Sequence, residues 1–251
     1  MTEINEQALG LSKALACAGA YERLVHLCKD IGGRKVFTTS FGMEDQIITH
    51  MICDQALDID IITLDTGRMF EETYAVWAES EKRFGRAIKA YYPDTEELEM
   101  LITKQGINGI FVSVEQRKAC CMVRKVVPLS RALEGASLWV TGIRAEQSQA
   151  RGSVDCVEVD AGRGLLKASP LYDWSVADME DYLKVHPEIP LNALHGQSYP
   201  SIGCAPCTRA VNPDEDDRAG RWWWEDGLQE CGLHVGPDGR LVRTKKQKEV
   251  L

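Results

Sequence analysis

The distribution of apolar residues divides the first part of the chain into helical and extended segments. Between about residues 5 and 29, apolar positions recur at helical spacing and predict one or two helices. Residues 35–42 are rich in β-forming side chains and end in glycine, which predicts a strand followed by a turn. A helical pattern then extends from Met43 to Asp54.

The same strand-then-helix scheme is repeated further along the chain. An apolar run at residues 60–67 precedes a helical pattern from Glu71 to Phe84, and further strands are predicted at 87–92 and 138–143. Strands that alternate with helices form right-handed βαβ units with parallel strands. The predicted fold class is therefore α/β, with a doubly wound, mostly parallel sheet.

In a sheet of this kind, ligands bind beyond the carboxyl ends of the strands. The predicted loops at those ends cover residues 40–45, 65–68 and 141–151. Each loop combines glycine with polar or charged side chains. We therefore expect a composite binding site made from these three loops.

The C-terminal part of the chain has a different character. Ser175 and Asp178 form a capping-box pattern that predicts a helix through about His186. From Gly196 onward the chain is rich in glycine, proline and cysteine and lacks a long periodic pattern. We predict an N-terminal helical segment (1–30), an α/β domain (31–195) and an irregular cysteine-containing lobe with a mobile tail (196–251).

Composition indicates an ordinary globular protein of the cytoplasm. The chain has 251 residues, of which 44% are apolar and 27% charged. Its formal charge of −9 argues against a nucleic-acid-binding face, which needs clustered cations. Neither a signal peptide nor an apolar run of the roughly 18–20 residues that span a membrane is present. Nine cysteines without an export signal favour reduced thiols.

Four of the cysteines form two close pairs. Cys204 and Cys207 have the spacing of a metal-ligand or redox pair, whereas Cys120 and Cys121 are adjacent in a segment with a helical pattern. Neighbouring side chains on a helix point about 100° apart, so two such sulfurs reach one zinc ion only with strain. They reach different irons of a cluster more easily. We expect one [4Fe–4S] cluster on these four cysteines, with a four-thiolate zinc site as the alternative.

The helix that carries the adjacent cysteines is also cationic. Arg117, Arg124 and Lys125 share the face of Cys121, where they are placed to offset the negative charge of the thiolates. A solvated basic face is an equally good interpretation for Arg117 and its neighbour Lys118. For Lys125 we favour contact with an anionic substrate.

Among the remaining cysteines, Cys231 differs from the others. It is surrounded by glycines and precedes His234 by three residues, a combination that suits a nucleophilic or redox-active thiol. An idle surface thiol is the alternative. The others lie in contexts typical of small buried hydrophobic residues: Cys17, Cys28, Cys53 and Cys156.

Together these elements resemble the assimilatory sulfonucleotide reductases, in particular the cluster-containing adenylylsulfate (APS) reductases of bacteria. The resemblance rests on the two cysteine pairs, on Arg124-Lys125, and on residues 218–225 (Arg-Ala-Gly-Arg-Trp-Trp-Trp-Glu) and 230–234 (Glu-Cys-Gly-Leu-His). It also rests on residues 40–45 (Ser-Phe-Gly-Met-Glu-Asp), 64–68 (Leu-Asp-Thr-Gly-Arg) and 141–144 (Thr-Gly-Ile-Arg). Each motif alone is weak, but from residue 35 to 234 they follow the family's order.

The resemblance implies the adenine-nucleotide alpha-hydrolase (PP-loop) fold for a nucleotide-binding domain at residues 31–195. The phosphate loop of that fold usually reads Ser-Gly-Gly-x-Asp-Ser. Here it reads Ser-Phe-Gly-Met-Glu-Asp, a departure that fits an enzyme that does not cleave a nucleotide triphosphate. The residues implied in substrate binding by these loops are Ser40, Phe41, Gly42, Glu44, Asp45, Leu64, Asp65, Gly67, Arg68, Gly142 and Arg144.

The activity implied by the resemblance is reduction of APS to sulfite and AMP in sulfate assimilation. The Cys231 thiolate would attack the sulfur of the sulfate group, leaving an S-sulfocysteine that a separate protein, reduced thioredoxin, cleaves. His234 would bind the phosphosulfate or lower the pKa of the thiol. Because thiols supply both electrons, we expect the cluster to act electrostatically through Lys125. The cations expected to neutralise the substrate are Lys125, Arg144, Arg218 and Arg221.

Three alternatives remain open at this point. The nearest is a phosphoadenylylsulfate (PAPS) reductase, although the family's PAPS-specific members generally lack the cysteine pairs. A cluster-bearing tRNA-thiolating enzyme of the same fold needs the Ser-Gly-Gly-x-Asp-Ser loop and a tRNA-binding surface. A zinc-stabilised interaction module would leave Cys231 without a purpose. The sequence leaves open whether the chain forms a homo-oligomer.

Overall fold

A six-stranded sheet forms the centre of the protein, for which a computed structural model describes residues 2–147 and 154–225. The strands are Arg34–Thr39 (β1), Asp60–Leu64 (β2), Lys89–Tyr91 (β3), Ala136–Val140 (β4), Val157–Asp160 (β5) and Leu165–Ala168 (β6). Their order is β3-β2-β1-β4-β6-β5. Five strands run parallel, and only β5 is antiparallel to its neighbour β6. The predicted doubly wound, mostly parallel sheet is confirmed.

Helices cover both faces of this sheet. In the described part of the chain they are Glu3–Leu15 (α1), Ala20–Asp30 (α2), Met43–Asp54 (α3), Glu71–Phe84 (α4), Thr95–Gln105 (α5), Val114–Cys121 (α6), Val127–Ala132 (α7) and Val176–Val185 (α8). A π-helical turn, Met122–Val126, joins α6 to α7. No helix within residues 2–147 and 154–225 has the length and apolar character needed to cross a membrane.

Alternating side chains along the strands supply two apolar layers. On β1, Phe37 packs into the larger cluster with residues of α1–α4 and α8, whereas its neighbour Val36 packs into a second cluster with residues of α7. Successive side chains of a strand point to opposite faces, so a strand covered on both faces is apolar throughout. Because Ala8 of α1 and Leu24 of α2 belong to the larger cluster, the N-terminal helices share the core of the sheet.

Most predicted elements are present with small shifts in their bounds. The helices predicted from Met43 to Asp54 and from Glu71 to Phe84 are α3 and α4, and Ser175 caps α8 by accepting a hydrogen bond from the Asp178 backbone N–H at 3.2 Å. The strands predicted at 87–92 and 138–143 are shorter or displaced. The sequence did not predict α5 or the hairpin of β5 and β6.

The strand order places a switch point between β1 and β4. From β1 the chain proceeds to β2 and β3 on one side, whereas β4 is followed by β6 on the other side. Loops that leave two neighbouring parallel strands in opposite directions open a crevice between them. Val36 of β1 pairs with Trp139 of β4 in this register, so the loops after Thr39 and Val140 lie side by side.

Candidate active site

At the switch point, the predicted loops surround a cavity of about 490 Å³, which we call the nucleotide cavity. This volume is within the range of small-molecule and cofactor sites. The cavity wall contains ten of the residues predicted to act on a substrate: Ser40, Gly42, Glu44, Asp45, Leu64, Lys125, Gly142, Arg144, Arg218 and Arg221. Loops from both sides of the sheet and from the C-terminal lobe thus meet at one site.

The loop after β1 is closed by a buried carboxylate. Asp45 accepts hydrogen bonds from the Ser40 backbone N–H at 2.6 Å and from its hydroxyl at 2.7 Å. Burial raises the pKa of Asp45 to about 6, although the hydrogen bonds from Ser40 act in the opposite direction. A Cβ atom on Gly142 would lie only 2.4 Å from Asp45 Oδ1. Glycine at position 142 therefore allows the loop after β4 to approach this carboxylate.

Phe41 lies beneath the loop rather than in the cavity wall. Its φ of 61° is in the left-handed region, which costs a non-glycine residue about 1–3 kcal/mol. Its ring is 1% exposed and stacks on Trp77 with centroids 5.7 Å apart. The side chain that departs from the usual Ser-Gly-Gly pattern therefore anchors the loop to the core.

Arg144, predicted to neutralise a substrate, is paired with carboxylates of the protein. Its Nε lies 2.9 Å from Glu44 Oε1 and its Nη1 lies 3.2 Å from Glu146 Oε2. The guanidinium also donates to the Trp174 carbonyl at 3.0 Å, and Gln147 donates to Glu44 at 2.9 Å. Since Arg144 is buried among these partners, it holds Glu44 in place at the cavity wall.

The loop after β2 faces away from the nucleotide cavity over part of its length. Asp65 is buried and accepts from the Gly67 N–H at 2.8 Å and from the Tyr74 hydroxyl at 2.9 Å. Burial and, next, Asp65 raise the pKa of Tyr74 to about 12. Arg68 donates to the Ile107 carbonyl at 2.6 Å and to Asn108 at 2.9 Å. Three residues predicted to bind the substrate are therefore not in the cavity wall and instead stabilise this loop: Asp65, Gly67 and Arg68.

Beside the cavity lies a smaller space that we call the cysteine compartment. Its wall contains all four predicted metal ligands together with five cations: Cys120, Cys121, Cys204, Cys207, Arg68, Arg117, Arg124, Lys125 and Arg221. The first pair ends α6, and the second pair flanks a single 3₁₀ turn, Ala205–Cys207. The fold therefore brings together two pairs that are more than 80 residues apart in sequence.

Backbone contacts attach the second cysteine pair to the nucleotide loops. The Ala205 N–H donates to the Arg68 carbonyl at 2.8 Å, and the Thr66 hydroxyl lies 3.3 Å from Cys204 Sγ. Three residues line both spaces: Lys125, Cys204 and Arg221. The nucleotide cavity and the cysteine compartment consequently share a wall that carries two cations.

The cysteine compartment is rich in hydrogen-bond donors that lack acceptors. Among the described residues, three buried N–H groups around it have no partner: Arg124 Nε, Arg221 Nε and Trp222 Nε1. A buried donor without an acceptor costs about 1–3 kcal/mol, and more when it is charged. The compartment is therefore suited to an anionic group with several acceptor atoms.

The spacing of the sulfurs separates two kinds of metal centre. Within the described residues, no three of the four sulfurs all lie within 4.8 Å of one another. A single tetrahedral zinc ion with Zn–S bonds of about 2.3 Å requires thiolates about 3.8 Å apart. In a [4Fe–4S] cluster each thiolate binds a different iron, so the sulfurs lie farther apart. The positions of the described sulfurs therefore do not match a single tetrahedral zinc ion.

Trp222 forms one side of the cysteine compartment and was not predicted there. Two guanidinium groups lie close to its ring, Arg117 at 4.7 Å and Arg221 at 4.9 Å from the ring centroid. It packs with Ile110 and Cys207, so it anchors the C-terminal lobe to this side of the molecule. Its φ of 45° is a local strain that this packing holds in place.

Arg117 is buried rather than solvated. Its guanidinium forms two hydrogen bonds with the Glu225 carboxylate, at 2.7 and 2.8 Å. Glu225 is the last residue that the structure describes in the lobe, and it precedes Cys231 by six positions. The predicted nucleophile Cys231 and the predicted His234 lie outside the described residues.

The remaining predicted cations approach each other in the cavity wall. Arg218 and Arg221 both contact the Ser201 hydroxyl, at 3.5 and 3.2 Å. A Cβ atom on Gly203 would lie 2.3 Å from Arg221 Nη2, so the guanidinium packs directly on that glycine. Sequence reasoning did not identify Ser201 or Gly203, because neither residue type is distinctive without its neighbours.

The fold and the site define a doubly wound α/β protein with a loop-lined cavity at its switch point and four converging cysteines beside that cavity. The sequence profile of the family described as "Phosphoadenosine phosphosulfate reductase domain" matches residues 34–210. The chain is 52% identical over 206 residues to the adenosine 5′-phosphosulfate reductase of Sinorhizobium fredii (strain USDA 257), covering 82% of each chain. The chain belongs to the adenosine 5′-phosphosulfate reductase family of enzymes.

Two further comparisons agree with this assignment. The adenosine 5′-phosphosulfate reductase of Allochromatium vinosum is 47% identical over 218 residues, which are 86% of this chain and 84% of that protein. The solved structure of phosphoadenylyl-sulfate (PAPS) reductase from Candida auris, a phosphate complex, superposes with a TM-score of 0.69 at 25% sequence identity. The match covers 82% of this chain and 96% of that chain. It confirms the predicted adenine-nucleotide alpha-hydrolase fold.

Proposed function

We propose that this protein reduces APS to sulfite and AMP in sulfate assimilation, with reduced thioredoxin as the electron donor. The observation that carries the proposal is the shared wall: Lys125 and Arg221 line both a nucleotide-sized cavity and the compartment of the four cysteines. Relatives named adenosine 5′-phosphosulfate reductases, which share about half of their residues with this chain, support the choice of substrate.

The substrate would lie with its adenosine against the loops after β1 and β4 and its phosphosulfate toward the shared wall. Lys125, Arg218 and Arg221 would neutralise the phosphate and sulfate charges, which otherwise repel an approaching thiolate. Arg144 would act indirectly, because it already pairs with Glu44. Asp45 would close the loop on which the ribose or phosphate rests.

The chemical step assigned to Cys231 is a nucleophilic substitution at sulfur. The thiolate forms an S–S bond to the sulfate sulfur as the bond from that sulfur to the bridging oxygen breaks. AMP leaves with both electrons of that bond, and Cys231 retains the sulfonate as S-sulfocysteine. His234 would assist by binding the phosphosulfate or by favouring the thiolate.

Sulfite release then requires a dithiol. One thiolate of thioredoxin attacks Cys231 Sγ and expels sulfite, forming a mixed disulfide between the two proteins. The second thioredoxin thiol resolves this disulfide, which restores the Cys231 thiol and leaves oxidised thioredoxin. The two electrons of the reduction come from the thioredoxin dithiol.

The four cysteines of the compartment would hold one [4Fe–4S] cluster. The convergence of the four cysteines and the unpartnered N–H groups of Arg124, Arg221 and Trp222 support an anionic group with several acceptor atoms at this place. When bound, the cluster would supply a fixed negative charge next to Lys125 and Arg221. Lys125 would remain oriented between that charge and the substrate anion.

A comparison of the two nucleotides tests the proposal. With anaerobically purified protein and excess reduced thioredoxin, we expect sulfite to form from APS with a kcat/KM on the order of 10²-fold higher than from PAPS. PAPS is the serious alternative because the matching family profile and the superposed structure both carry its name. Equal or faster turnover of PAPS would assign the protein to that substrate instead.

A further inference from the structure

Three potential metal ligands converge at the contact between α3 and the end of α8. They are His50 on α3, His186 at the C-terminal cap of α8, and Glu188 two residues later. One ligand atom from each side chain lies within 4.8 Å of the other two. None of the three residues lines the nucleotide cavity or the cysteine compartment.

The distances within this group match ligands around an ion better than direct hydrogen bonds. His50 Nε2 and His186 Nδ1 each lie 3.6 Å from Glu188 Oε1. Hydrogen bonds between nitrogen and oxygen are shorter, at about 2.7–3.2 Å. In a tetrahedral zinc site with bonds of about 2.0–2.1 Å, neighbouring ligand atoms lie about 3.4 Å apart. The two distances to Glu188 are thus within a few tenths of an ångström of those in such a site, and the two histidine nitrogens lie within 4.8 Å of each other.

The surroundings hold two of the ligands in position. His50 Nδ1 lies 2.8 Å from the Tyr182 hydroxyl, so with Nδ1 donating to that oxygen, Nε2 carries its lone pair toward Glu188. Metal-binding histidines commonly use their second nitrogen in this way. Pro187 separates His186 from Glu188 and fixes the backbone between them.

Two charged neighbours also approach the group. Arg83 Nη2 lies 3.9 Å from Glu188 Oε1, but its side chain is half exposed and can turn to solvent. Asp54, one helical turn after His50, accepts hydrogen bonds from Tyr21 at 3.1 Å and from Gln55 at 3.2 Å. Glu188 is therefore the carboxylate that completes the group.

We propose that His50, His186 and Glu188 bind a zinc ion, with water as a fourth ligand. The ion clips the second half of α3 to the end of α8, two helices whose apolar residues already share one core. This site is independent of the sulfur chemistry proposed above. None of its three ligands belongs to the sequence motifs on which the resemblance to the family rests.

Zinc binding to the holoenzyme tests the site directly. The cluster-containing protein is dialysed anaerobically against buffered zinc, and bound zinc is counted by mass spectrometry. X-ray absorption at the zinc edge distinguishes nitrogen and oxygen ligands at about 2.0–2.1 Å from sulfur at about 2.3 Å. We expect one zinc per chain with nitrogen and oxygen ligands only.

Three variants locate the ion. His50→Ala/His186→Ala should lose this zinc, whereas His26→Ala should keep it, because His26 faces Asp30 in an exposed pair at 3.8 Å. Glu188→Gln alters a side chain that is one-third exposed, so it tests the site without disturbing the core. It should weaken binding and abolish the rise in melting temperature that zinc causes in the wild type.

A fourth variant tests the outer contact. Tyr182→Phe should weaken zinc binding about 10- to 100-fold, because it removes the partner of His50 Nδ1. Zinc bound through sulfur, zinc retained by both the double variant and Glu188→Gln, or no zinc bound at micromolar concentration would each overturn the proposal.

Discussion

The nucleotide cavity and the cysteine compartment share a wall but differ in how their polar groups are satisfied. In the cavity, Asp45 is held by Ser40, and Arg144 is held by Glu44. In the compartment, Arg124, Arg221 and Trp222 keep buried N–H groups without acceptors. The polypeptide thus satisfies Asp45 and Arg144 by itself, whereas an anionic group placed in the compartment would supply acceptors for its three unpartnered N–H groups.

The two regions also differ in their scaffold. The cavity lies on loops that leave β1, β2 and β4, so regular parallel strands fix its geometry. The compartment lies on a π-helical turn after Cys121 and on a single 3₁₀ turn at Ala205–Cys207. Two of the thiols lie on the last turn of α6 and two on the segment of the 3₁₀ turn, and the proposed cluster would link these two segments.

The largest expected effect comes from removing a ligand of the cysteine compartment. Cys207→Ser should abolish the visible absorption of the cluster, lower iron and sulfide content, and reduce sulfite production by at least about 100-fold. Cys17→Ser is the matched control and should match wild type, because Cys17 is exposed and not buried as its sequence context predicted. Full iron content in Cys207→Ser would show that this cysteine does not bind the cluster, and the proposed difference between the two regions would fail.

The second effect concerns the ion pair that closes the compartment. In Arg117→Gln, the carboxylate of Glu225 loses a partner in a pair whose side chains are only 5% and 12% exposed. Breaking such a pair costs about 3–5 kcal/mol of unfolding free energy, measured by urea titration.

The control is an ion pair with similar geometry at the surface. Arg209 and Glu215 also form two hydrogen bonds, both at 2.7 Å, but about a third of each side chain is exposed. Arg209→Gln should leave stability nearly unchanged. Similar losses in both variants would mean that burial does not distinguish the two pairs.

The third prediction concerns the nucleotide cavity and the pH dependence of stability that the buried Asp45 causes. Because burial raises the pKa of Asp45 from 3.8 to about 6, the folded protein binds this proton more tightly than the unfolded chain does. The associated stability is fully present below about pH 4 and is lost as the pH rises through about 6. Relative to Asp45→Asn, the wild type should lose about 2 kcal/mol of unfolding free energy between pH 4 and 7. Parallel pH profiles for the two proteins would rule out this burial cost.

The smallest effect concerns the approach of two loops. In Gly142→Ala, the new Cβ would meet Asp45 Oδ1 at 2.4 Å and Glu44 Cβ at 3.2 Å. Overpacking of this kind costs about 1–3 kcal/mol, and the displaced loops should raise the KM for APS. Gly196→Ala is the control, since no atom lies within 4 Å of its Cβ position. An unchanged KM in Gly142→Ala would show that the loops separate without affecting the site.

Much of the fold was predictable because its signals are local. The bounds of α3 and α4 follow from apolar periodicity, and Ser175 with Asp178 marks the start of α8. The helix α5 also had a local signal that was missed, since the Asp94 side chain accepts a hydrogen bond from the Glu97 N–H. The strand β6 had none, because its position beside β4 depends on partners in the sheet rather than on its own four residues.

The site was predictable as a set of residues but not as a set of pairings. The motifs predicted that Ser40, Lys125 and Cys204 belong to one site, and the structure places them around one cavity. The pairing of Arg144 with Glu44 spans 100 positions, and no local pattern indicates it. The same holds for Trp222, whose place beside two arginines depends on the folded lobe.

The most direct test of the proposed function is to trap the intermediate. Protein purified anaerobically is incubated with APS in the absence of thioredoxin, and its peptides are examined by mass spectrometry. We expect one sulfonate adduct on Cys231, released as sulfite when reduced thioredoxin is added. An adduct on Cys207, or no adduct while AMP accumulates, would contradict the proposed function.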